Sequence, residues 1–163
     1  KLIAGQNKNS GSGSSTKYKM TPEEKLVSDQ FYANKGKLPW PVTQGLVVRK
    51  FGIHSDALHS NVKRFSDGID ILTLKDADIR AVFQGTVTFI SYNFSTNYVV
   101  FIRHGDYVSM YINVVDLKVK KGDKVNTKDV IGKVGYDPEN GSVLYFQIWK
   151  NQQKENPQLW LAK

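Results

Sequence analysis

The sequence predicts an all-β domain of two packed, largely antiparallel sheets with a short helical arm at its N-terminus. From residue 45 onward, short runs alternate apolar and polar side chains, as half-buried strands do. Gly, Asn and Asp separate these runs, and helical periodicity is confined to residues 22–34. The predicted strands are GLVVRKFG, GIDILTL, DIRAVFQ, GTVTFISY, NYVVFIRH, YVSMYIN, DVIGKVG and VLYFQIW, and a turn is predicted at NPQLWL.

The chain is predicted to begin with a flexible linker, residues 1–19. Its segment GQNKNSGSGSST offers almost nothing to bury, which is typical of Gly/Ser-rich linkers. The sequence starts at Lys1 rather than Met, so we expect a preceding part of the protein, with any targeting signal.

A helical arm is predicted over residues 20–37. It carries the residues that begin and end helices, namely Thr21 as cap, Pro22 in the first turn, Glu24 three positions after the cap and Gly36 at the end. Its apolar stripe is narrow and consists of Leu26, Val27 and Phe31. A helix with so little apolar surface is expected to dock weakly, and it is predicted to be a regulatory element rather than part of the core. It either covers the groove described below or packs elsewhere to cover an edge of the sheet.

Composition limits the function of the remaining domain, residues 38–163. The chain has 163 residues, 40% of them hydrophobic, which is enough for one core. The absence of cysteine excludes disulfides and thiolate metal sites. The net charge of +8 favours attraction to anionic surfaces. Nucleic-acid binding is not predicted, because the sequence has no basic face interleaved with aromatic residues.

Two segments, DIRAVFQGTVTFI and KVNTKDVIGKVG, are predicted to be hairpins of the kind found in biotinyl and lipoyl carrier domains. A carrier needs a lysine at an exposed hairpin tip, usually beside Met or Asp. Neither Met20 nor Met110 flanks such a lysine, so the carrier interpretation is disfavoured.

The last predicted strand, SVLYFQIWK, has one ordinary core face formed by Leu144, Phe146 and Ile148. Its other face is large and partly aromatic, and consists of Val143, Tyr145, Gln147 and Trp149. Such a face is either a binding surface or is covered by other residues of the fold.

From residue 39 onward the chain resembles the LytM-type, or lysostaphin-like, zinc peptidase domain. The resemblance covers about 125 residues and runs through the segments LPWPV, FG, DGIDI, AVFQGTV, IRHGDYVSMYINV, VKKGDKV, VIGKVG, LYFQI and NPQLWL. Active members of this family cut cell-wall peptides. They bind zinc through a His-x-x-x-Asp pair and the second His of a His-x-His motif. The first His of that motif, and another in a Tyr-x-His segment, assist catalysis.

In this sequence the motif positions are altered. The first pair falls on Ser66 and Asp70, Tyr-x-His falls on Tyr111 and Asn113, and His-x-His falls on Val143 and Tyr145. Of the three zinc ligands, Asp70 alone remains. The resemblance therefore implies a domain with no metal, no cofactor and no peptidase activity, because catalytic zinc takes about three protein ligands. His54 and His59 are expected at the surface, and His104 in a hydrogen-bonded structural role.

The altered motif positions are predicted to form a binding groove, because aromatic residues dominate interface hot spots. Its expected residues are Tyr145, Trp149, Gln147, Val143, Asn113, Tyr111, Ser66 and Asp70. The alternative is a groove that is merely filled, with Tyr145 packed against Tyr111.

The segment YKMTPEEKLVSD is similar to the stretch that precedes the domain in EnvC-type murein hydrolase activators. This subgroup implies an exported, periplasmic or other cell-envelope protein that activates a cell-wall amidase at division. The coiled coil that precedes the domain in this subgroup is absent from the chain. A non-catalytic module that binds peptidoglycan remains the alternative.

Overall fold

The computed structural model describes residues 19–56 and 58–163, so most of the predicted linker lies outside the described residues. One helix, α1, spans Pro22–Ala33. The strands are β1 (Leu46–Arg49), β2 (Gly52–Ser55), β3 (Lys63–Ser66), β4 (Ile69–Thr73), β5 (Asp78–Arg80), β6 (Gly85–Asn93), β7 (Asn97–His104), β8 (Tyr107–Val115), β9 (Lys124–Val125), β10 (Val130–Val134), β11 (Tyr136–Asp137), β12 (Gly141–Lys150) and β13 (Gln153–Glu155), followed by a 3-10 turn at Pro157–Leu159.

The strands form one eleven-stranded sheet and the separate hairpin β2–β3. Along the large sheet the order is β1-β4-β12-β8-β7-β6-β9, and β10 connects β8 to β5. Every pair of named strands is antiparallel. The predicted all-β, antiparallel fold is therefore confirmed. No helix in the described part of the chain has the length and apolarity needed to cross a bilayer.

Several predicted strands differ in detail. GLVVRKFG is divided between β1 and the beginning of β2, and DIRAVFQ contains only the three-residue strand β5. The two predicted hairpins are wrong, because β5 pairs with β10 while β6 pairs with β7 and β9. Local alternation predicts which side chains share a face of a strand. The pairing of β5 with β10 joins residues 50 to 55 positions apart, and such distant pairing leaves no local signal in the sequence.

The core lies on one face of the large sheet. Strand β12 contributes Leu144, Phe146 and Ile148, all fully buried. The segment after β5 covers this face, since the backbone N–H of Val82 donates to the Tyr111 hydroxyl at 2.9 Å. The opposite face of the sheet is left for the groove described below.

The predicted helix is confirmed, and it begins with a capping box. Thr21 Oγ1 accepts from the Glu24 N–H at 3.2 Å, and Glu24 Oε2 accepts from the Thr21 N–H at 2.9 Å. Each acceptor satisfies a backbone donor that the first turn leaves unpaired.

The expectation that α1 docks only weakly is wrong, whereas its regulatory role stays a prediction. Phe31 is fully buried on the core side of the sheet, with its ring 4.7 Å from that of Tyr107 and 5.0 Å from that of Trp160. The turn between β7 and β8 contacts the helix so closely that a Cβ on Gly105 would lie 2.3 Å from Ser28 Cβ. Val27 is half-buried and Leu26 is 58% exposed, so Phe31 is the one residue of the apolar stripe that is fully buried. The ring of Phe31 therefore holds the helix against the core, on the side of the sheet opposite the groove.

The segment after α1 is bound to the C-terminus. Leu38 forms a parallel bridge with Leu161, and Trp40 Nε1 donates to the carbonyl of Ala162 at 2.7 Å. These contacts join the segment that follows α1 to the last residues of the chain.

Candidate functional site

The groove floor is the face of the large sheet opposite the core. As predicted from alternation in β12, Val143, Tyr145, Gln147 and Trp149 share this face. Tyr145 pairs with Asp70 of the neighbouring strand β4, so the two side chains lie side by side. Tyr145 is 39% exposed and Val143 is 8% exposed, which leaves the tyrosine ring at the centre of the floor.

Asp70 is held by an arginine. Arg49 Nε lies 3.3 Å from Asp70 Oδ2, with the arginine side chain 61% exposed and the aspartate side chain 19% exposed. Burial raises the pKa of Asp70, while the positive charge of Arg49 opposes this shift. Burial and the Asp70 charge also raise the pKa of Tyr145, so the phenol is neutral at physiological pH. The carboxylate therefore already has a cationic partner.

Ser66 lies in the same small cleft as Asp70. This cleft has a volume of about 270 Å³, and its lining includes Arg49, Tyr145 and Gln147. The structure thus brings together the predicted residues Ser66, Asp70, Tyr145 and Gln147.

Trp149 is covered at one end of the floor. Its indole Nε1 donates to Gln147 Oε1 at 2.8 Å, and Lys154 Nζ lies 5.5 Å from its ring centroid. Lys154 Nζ also lies 5.3 Å from the ring of Phe65 and 2.7 Å from Asp67 Oδ1. Trp149 is therefore less available to a ligand than strand parity alone indicates.

Asn113 reaches the groove because its backbone departs from a regular strand. Its φ of 80° lies in the left-handed region, which asparagine tolerates better than most residues. The side-chain amide donates to the carbonyls of Val143 at 2.7 Å and Gly135 at 3.0 Å. Asn97 Nδ2 donates in turn to Asn113 Oδ1 at 2.8 Å. The residue aligned with a catalytic histidine thus serves as a structural clamp between strands.

Beside this clamp lies a second cleft of about 580 Å³ that shares Tyr145 and Ile112 with the first. Hydroxyl and amide side chains line much of it, together with the exposed ring of Tyr136. The polar lining residues are Ser95, Thr96, Asn97, Asn113, Asp137 and Asn140. We refer to the two clefts together as the groove.

Tyr111 is not a groove residue, contrary to the prediction. It is fully buried on the core face, where its ring centroid lies 5.3 Å from that of Phe146. Burial raises the pKa of its hydroxyl to about 12. The predicted contact between Tyr111 and Tyr145 cannot form, because the two side chains lie on opposite faces of the sheet.

His104 lies in a buried chain of hydrogen bonds. Nδ1 donates to the Gln84 carbonyl at 2.7 Å, and Nε2 accepts from Ser109 Oγ at 2.8 Å. Ser109 Oγ is 3.0 Å from the Tyr111 hydroxyl, which the Val82 N–H also contacts. Burial lowers the pKa of His104 to about 4, so the imidazole is neutral. This is the structural role expected for His104.

The other two histidines lie near the hairpin β2–β3. His54 Nε2 bonds to the Lys50 carbonyl, and His59 Nδ1 is 4.0 Å from Asp56 Oδ1. Within residues 19–56 and 58–163, no three His, Cys, Asp or Glu side chains are close enough together to hold a metal ion.

Sequence reasoning missed Arg49, Asn97, Tyr136 and Ile112. Ile112 follows Tyr111 directly and was detectable from strand parity. The other three come from β1, β7 and β11, and their contacts with the groove depend on strand order.

Comparison with known proteins identifies similar sequences and folds. Residues 64–157 match the family described as Peptidase family M23. Stage II sporulation protein Q of Bacillus subtilis (strain 168) is 33% identical over an alignment of 111 residues that covers 64% of this chain and 39% of that protein. The chain therefore spans well under half the length of that relative.

Two solved structures share the fold. A chain in the structure of the SpoIIQ–SpoIIIAH pore forming complex is 29% identical with a TM-score of 0.66, over 79% of this chain and 93% of that one. A structure of LytU is 30% identical with a TM-score of 0.60, over 70% of this chain and 82% of that one.

Proposed function

We propose that this chain, which belongs to peptidase family M23, binds a protein partner in its groove and cuts no peptide bond. The observation that carries the proposal is the ion pair between Arg49 and Asp70. The carboxylate that would hold a metal in a LytM-type enzyme is paired with a guanidinium instead.

A zinc ion does not fit the residues present. At the other two implied ligand positions stand Ser66, whose hydroxyl is a weak ligand, and Tyr145, whose phenol is neutral. Catalytic zinc takes about three protein ligands of the His, Asp, Glu or Cys type. An Arg49 cation at the surviving ligand would also repel a divalent ion. Purified protein is expected to contain no stoichiometric zinc.

The groove suits a protein segment with an apolar side. Tyr145, Ile112 and Val143 form an apolar centre, and amide and hydroxyl groups surround it. An amphipathic helix binds to such a trough through side chains spaced three or four residues apart. The solved complex of SpoIIQ with SpoIIIAH supports the view that domains of this type bind proteins.

More specifically, we propose that the partner is a cell-wall amidase in the bacterial envelope, and that binding activates it. This step rests on the resemblance to EnvC-type activators in the segment before the domain. It is tested by mixing the chain with an amidase from the same organism and labelled cell-wall sacculi. The chain alone should release no label, and its addition should raise the amidase rate. Release by the chain alone, or an unchanged amidase rate, would contradict the proposal.

The larger cleft also favours a second candidate, direct binding of peptidoglycan. Its neutral amides and hydroxyls beside the rings of Tyr136 and Tyr145 are groups that hydrogen-bond and stack with sugars. Cosedimentation with purified sacculi distinguishes this function. Binding that is lost in Tyr136→Ala but retained in the exposed control Leu159→Ala would favour the glycan.

A further inference from the structure

The hairpin β2–β3 stands apart from the large sheet. Within the described part of the chain, its two strands pair only with each other. The turn between them is closed by the backbone N–H of Asp56, which donates to the Val62 carbonyl at 2.8 Å. A two-stranded hairpin by itself is only marginally stable in water. Contact with another surface would therefore stabilise this one.

Apolar side chains protrude from this hairpin. Ile53 and Phe65 lie directly opposite each other across the two strands, and both are exposed. Val62 is exposed at the end of the turn, and Leu58, within the turn, is 88% exposed. Exposed apolar side chains that lie together mark sites where a protein meets another protein or a membrane.

The carboxylate of the hairpin is held inside it. Asp56 is the only acidic residue of β2, β3 and their turn, and its side chain is 14% exposed. Its Oδ2 accepts from Arg64 Nε at 2.9 Å, and its Oδ1 accepts from the Leu58 N–H at 2.8 Å. The side chain of Arg64 is 73% exposed, so the cation of this pair faces solvent more than the carboxylate does.

Unpaired cations lie beside the hairpin. The two aspartates that follow β3 each have a cationic partner, as described above. Lys50 and Lys63 are exposed, and neither forms an ion pair with any described residue. Lys63 shares a face of the hairpin with Phe65, and Lys50 lines a cleft together with Arg64. The hairpin therefore presents apolar and positively charged side chains to solvent.

We propose that this hairpin binds the surface of an anionic phospholipid bilayer. Leu58 enters the headgroup region, and Lys50 and Lys63 lie against the lipid phosphates. Apolar side chains flanked by lysines are characteristic of segments that lie in the membrane interface. Anionic lipids attract such lysines, and they attract the whole chain through its net charge of +8. The binding is weak, reversible and dependent on the charge of the lipid.

The hairpin favours a bilayer over a second protein. Leu58 protrudes from a turn, whereas protein interfaces are anchored mostly by aromatic or arginine side chains in packed pockets. Phe94, in the turn between β6 and β7, is exposed to a similar extent. That turn borders the cleft lined by Asp137, which forms no ion pair with any described residue. An anionic surface would repel Asp137 and attract the hairpin.

Lipid binding by the hairpin goes beyond the groove function proposed above and does not depend on it. Phe65 and Ser66, at the end of β3, line the smaller cleft, while the turn lies at the opposite end of the strands. A strand of four residues spans about 10 Å. The turn can therefore contact lipid without covering Tyr145, and a bound hairpin would hold the groove at the membrane surface.

Cosedimentation with vesicles tests the proposal. Vesicles of phosphatidylglycerol and phosphatidylcholine in equal parts should bind the chain at least about tenfold better than phosphatidylcholine alone, and added salt should weaken this binding. Lys50→Gln combined with Lys63→Gln should lower the partition coefficient about 30-fold, because each lysine near an anionic surface contributes roughly fivefold. The control, Lys120→Gln combined with Lys121→Gln, removes the same charge from two other exposed lysines and should lower it less than about threefold.

Two results of this experiment would overturn the proposal. Equal losses in the two double variants would mean that net charge alone, rather than the hairpin, attracts the chain to lipid. Equal binding to the two kinds of vesicle would exclude an anionic bilayer and leave the hairpin to an acidic protein.

A fluorescent label tests whether the turn enters the bilayer. Because the sequence contains no cysteine, Leu58→Cys accepts a single nitrobenzoxadiazole label. Its emission should shift to the blue and increase when anionic vesicles are added. The same label on Phe94→Cys, at a position 92% exposed in the other turn, should not respond. Similar spectra at the two positions would refute insertion through the β2–β3 turn.

Discussion

Phe31 stacks on His104, with the ring centroids 4.8 Å apart and the planes 20° from parallel. This contact joins the only helix of the described chain to the strand that contains the buried histidine. Gln84 adds a second link, since its side-chain amide donates to Gln30 Oε1 at 2.8 Å while its carbonyl accepts from His104. The helix is therefore part of the folded core.

Replacement of Phe31 by alanine should lower the free energy of unfolding by about 3–5 kcal/mol, because a buried aromatic ring leaves a cavity. Leu26→Ala, on the same helix but 58% exposed, should change it by less than about 1 kcal/mol. Urea unfolding followed by circular dichroism measures both. Similar losses of unfolding free energy in the two variants would mean that α1 is docked only weakly on the domain.

Acid should destabilise the fold through His104. Its folded pKa of about 4 lies below the ordinary value of 6.5, so the unfolded state takes up a proton more readily. Its contribution is complete above pH 6.5 and is lost as the pH falls toward 4. This amounts to about 3 kcal/mol. Urea unfolding at pH 7.5 and pH 4 should show the loss, and His104→Gln should show less of it. An identical pH dependence in the variant would exclude this residue as the cause.

Asn113 should be sensitive to replacement for two separable reasons. Asn113→Ala loses hydrogen bonds to two carbonyls and places alanine at a φ of 80°, which together should cost about 2–4 kcal/mol. Asn113→Gly loses the same bonds but tolerates the backbone, so it should be about 1 kcal/mol less destabilised than Asn113→Ala. Thermal unfolding of the two variants measures this difference. Equal stabilities would mean that backbone strain plays no part.

A metal site should be recoverable if the arginine is removed. Ser66→His combined with Tyr145→His restores the implied ligand set around Asp70. Zinc should bind this double variant, and adding Arg49→Ala should tighten binding about tenfold by freeing the carboxylate. Competition with a chromophoric chelator measures the affinities. An unchanged affinity after Arg49→Ala would show that the ion pair does not oppose metal.

Much of the fold was predictable because strand alternation and helix capping are local. The faces of β12 and the beginning of α1 at Thr21 and Pro22 follow from spacing alone. The family predicted from the motifs is confirmed by the match over residues 64–157. The division into arm and domain stays a prediction of the sequence.

The errors come from contacts between residues distant in sequence. Tyr111 and Asn113 differ by two positions, and regular alternation would put them on one face. The left-handed backbone at Asn113 separates them, and no sequence pattern signals it. The docking of α1 was predicted to be weak because its apolar stripe is narrow. Its contact with the core comes instead from the ring contacts of one residue, Phe31.

The groove is proposed to bind a protein, and Tyr145 lies at its centre. Isothermal titration of the chain with a cell-wall amidase from the same organism tests it most directly. Tyr145→Ala should weaken binding by about 2 kcal/mol, or roughly 30-fold, if the ring is a buried anchor in the complex. The control Leu159→Ala, 58% exposed and outside the lining of the groove, should bind like the unaltered chain. Equal affinity of the folded Tyr145→Ala variant and the unaltered chain would show that the groove is not the site where the partner binds.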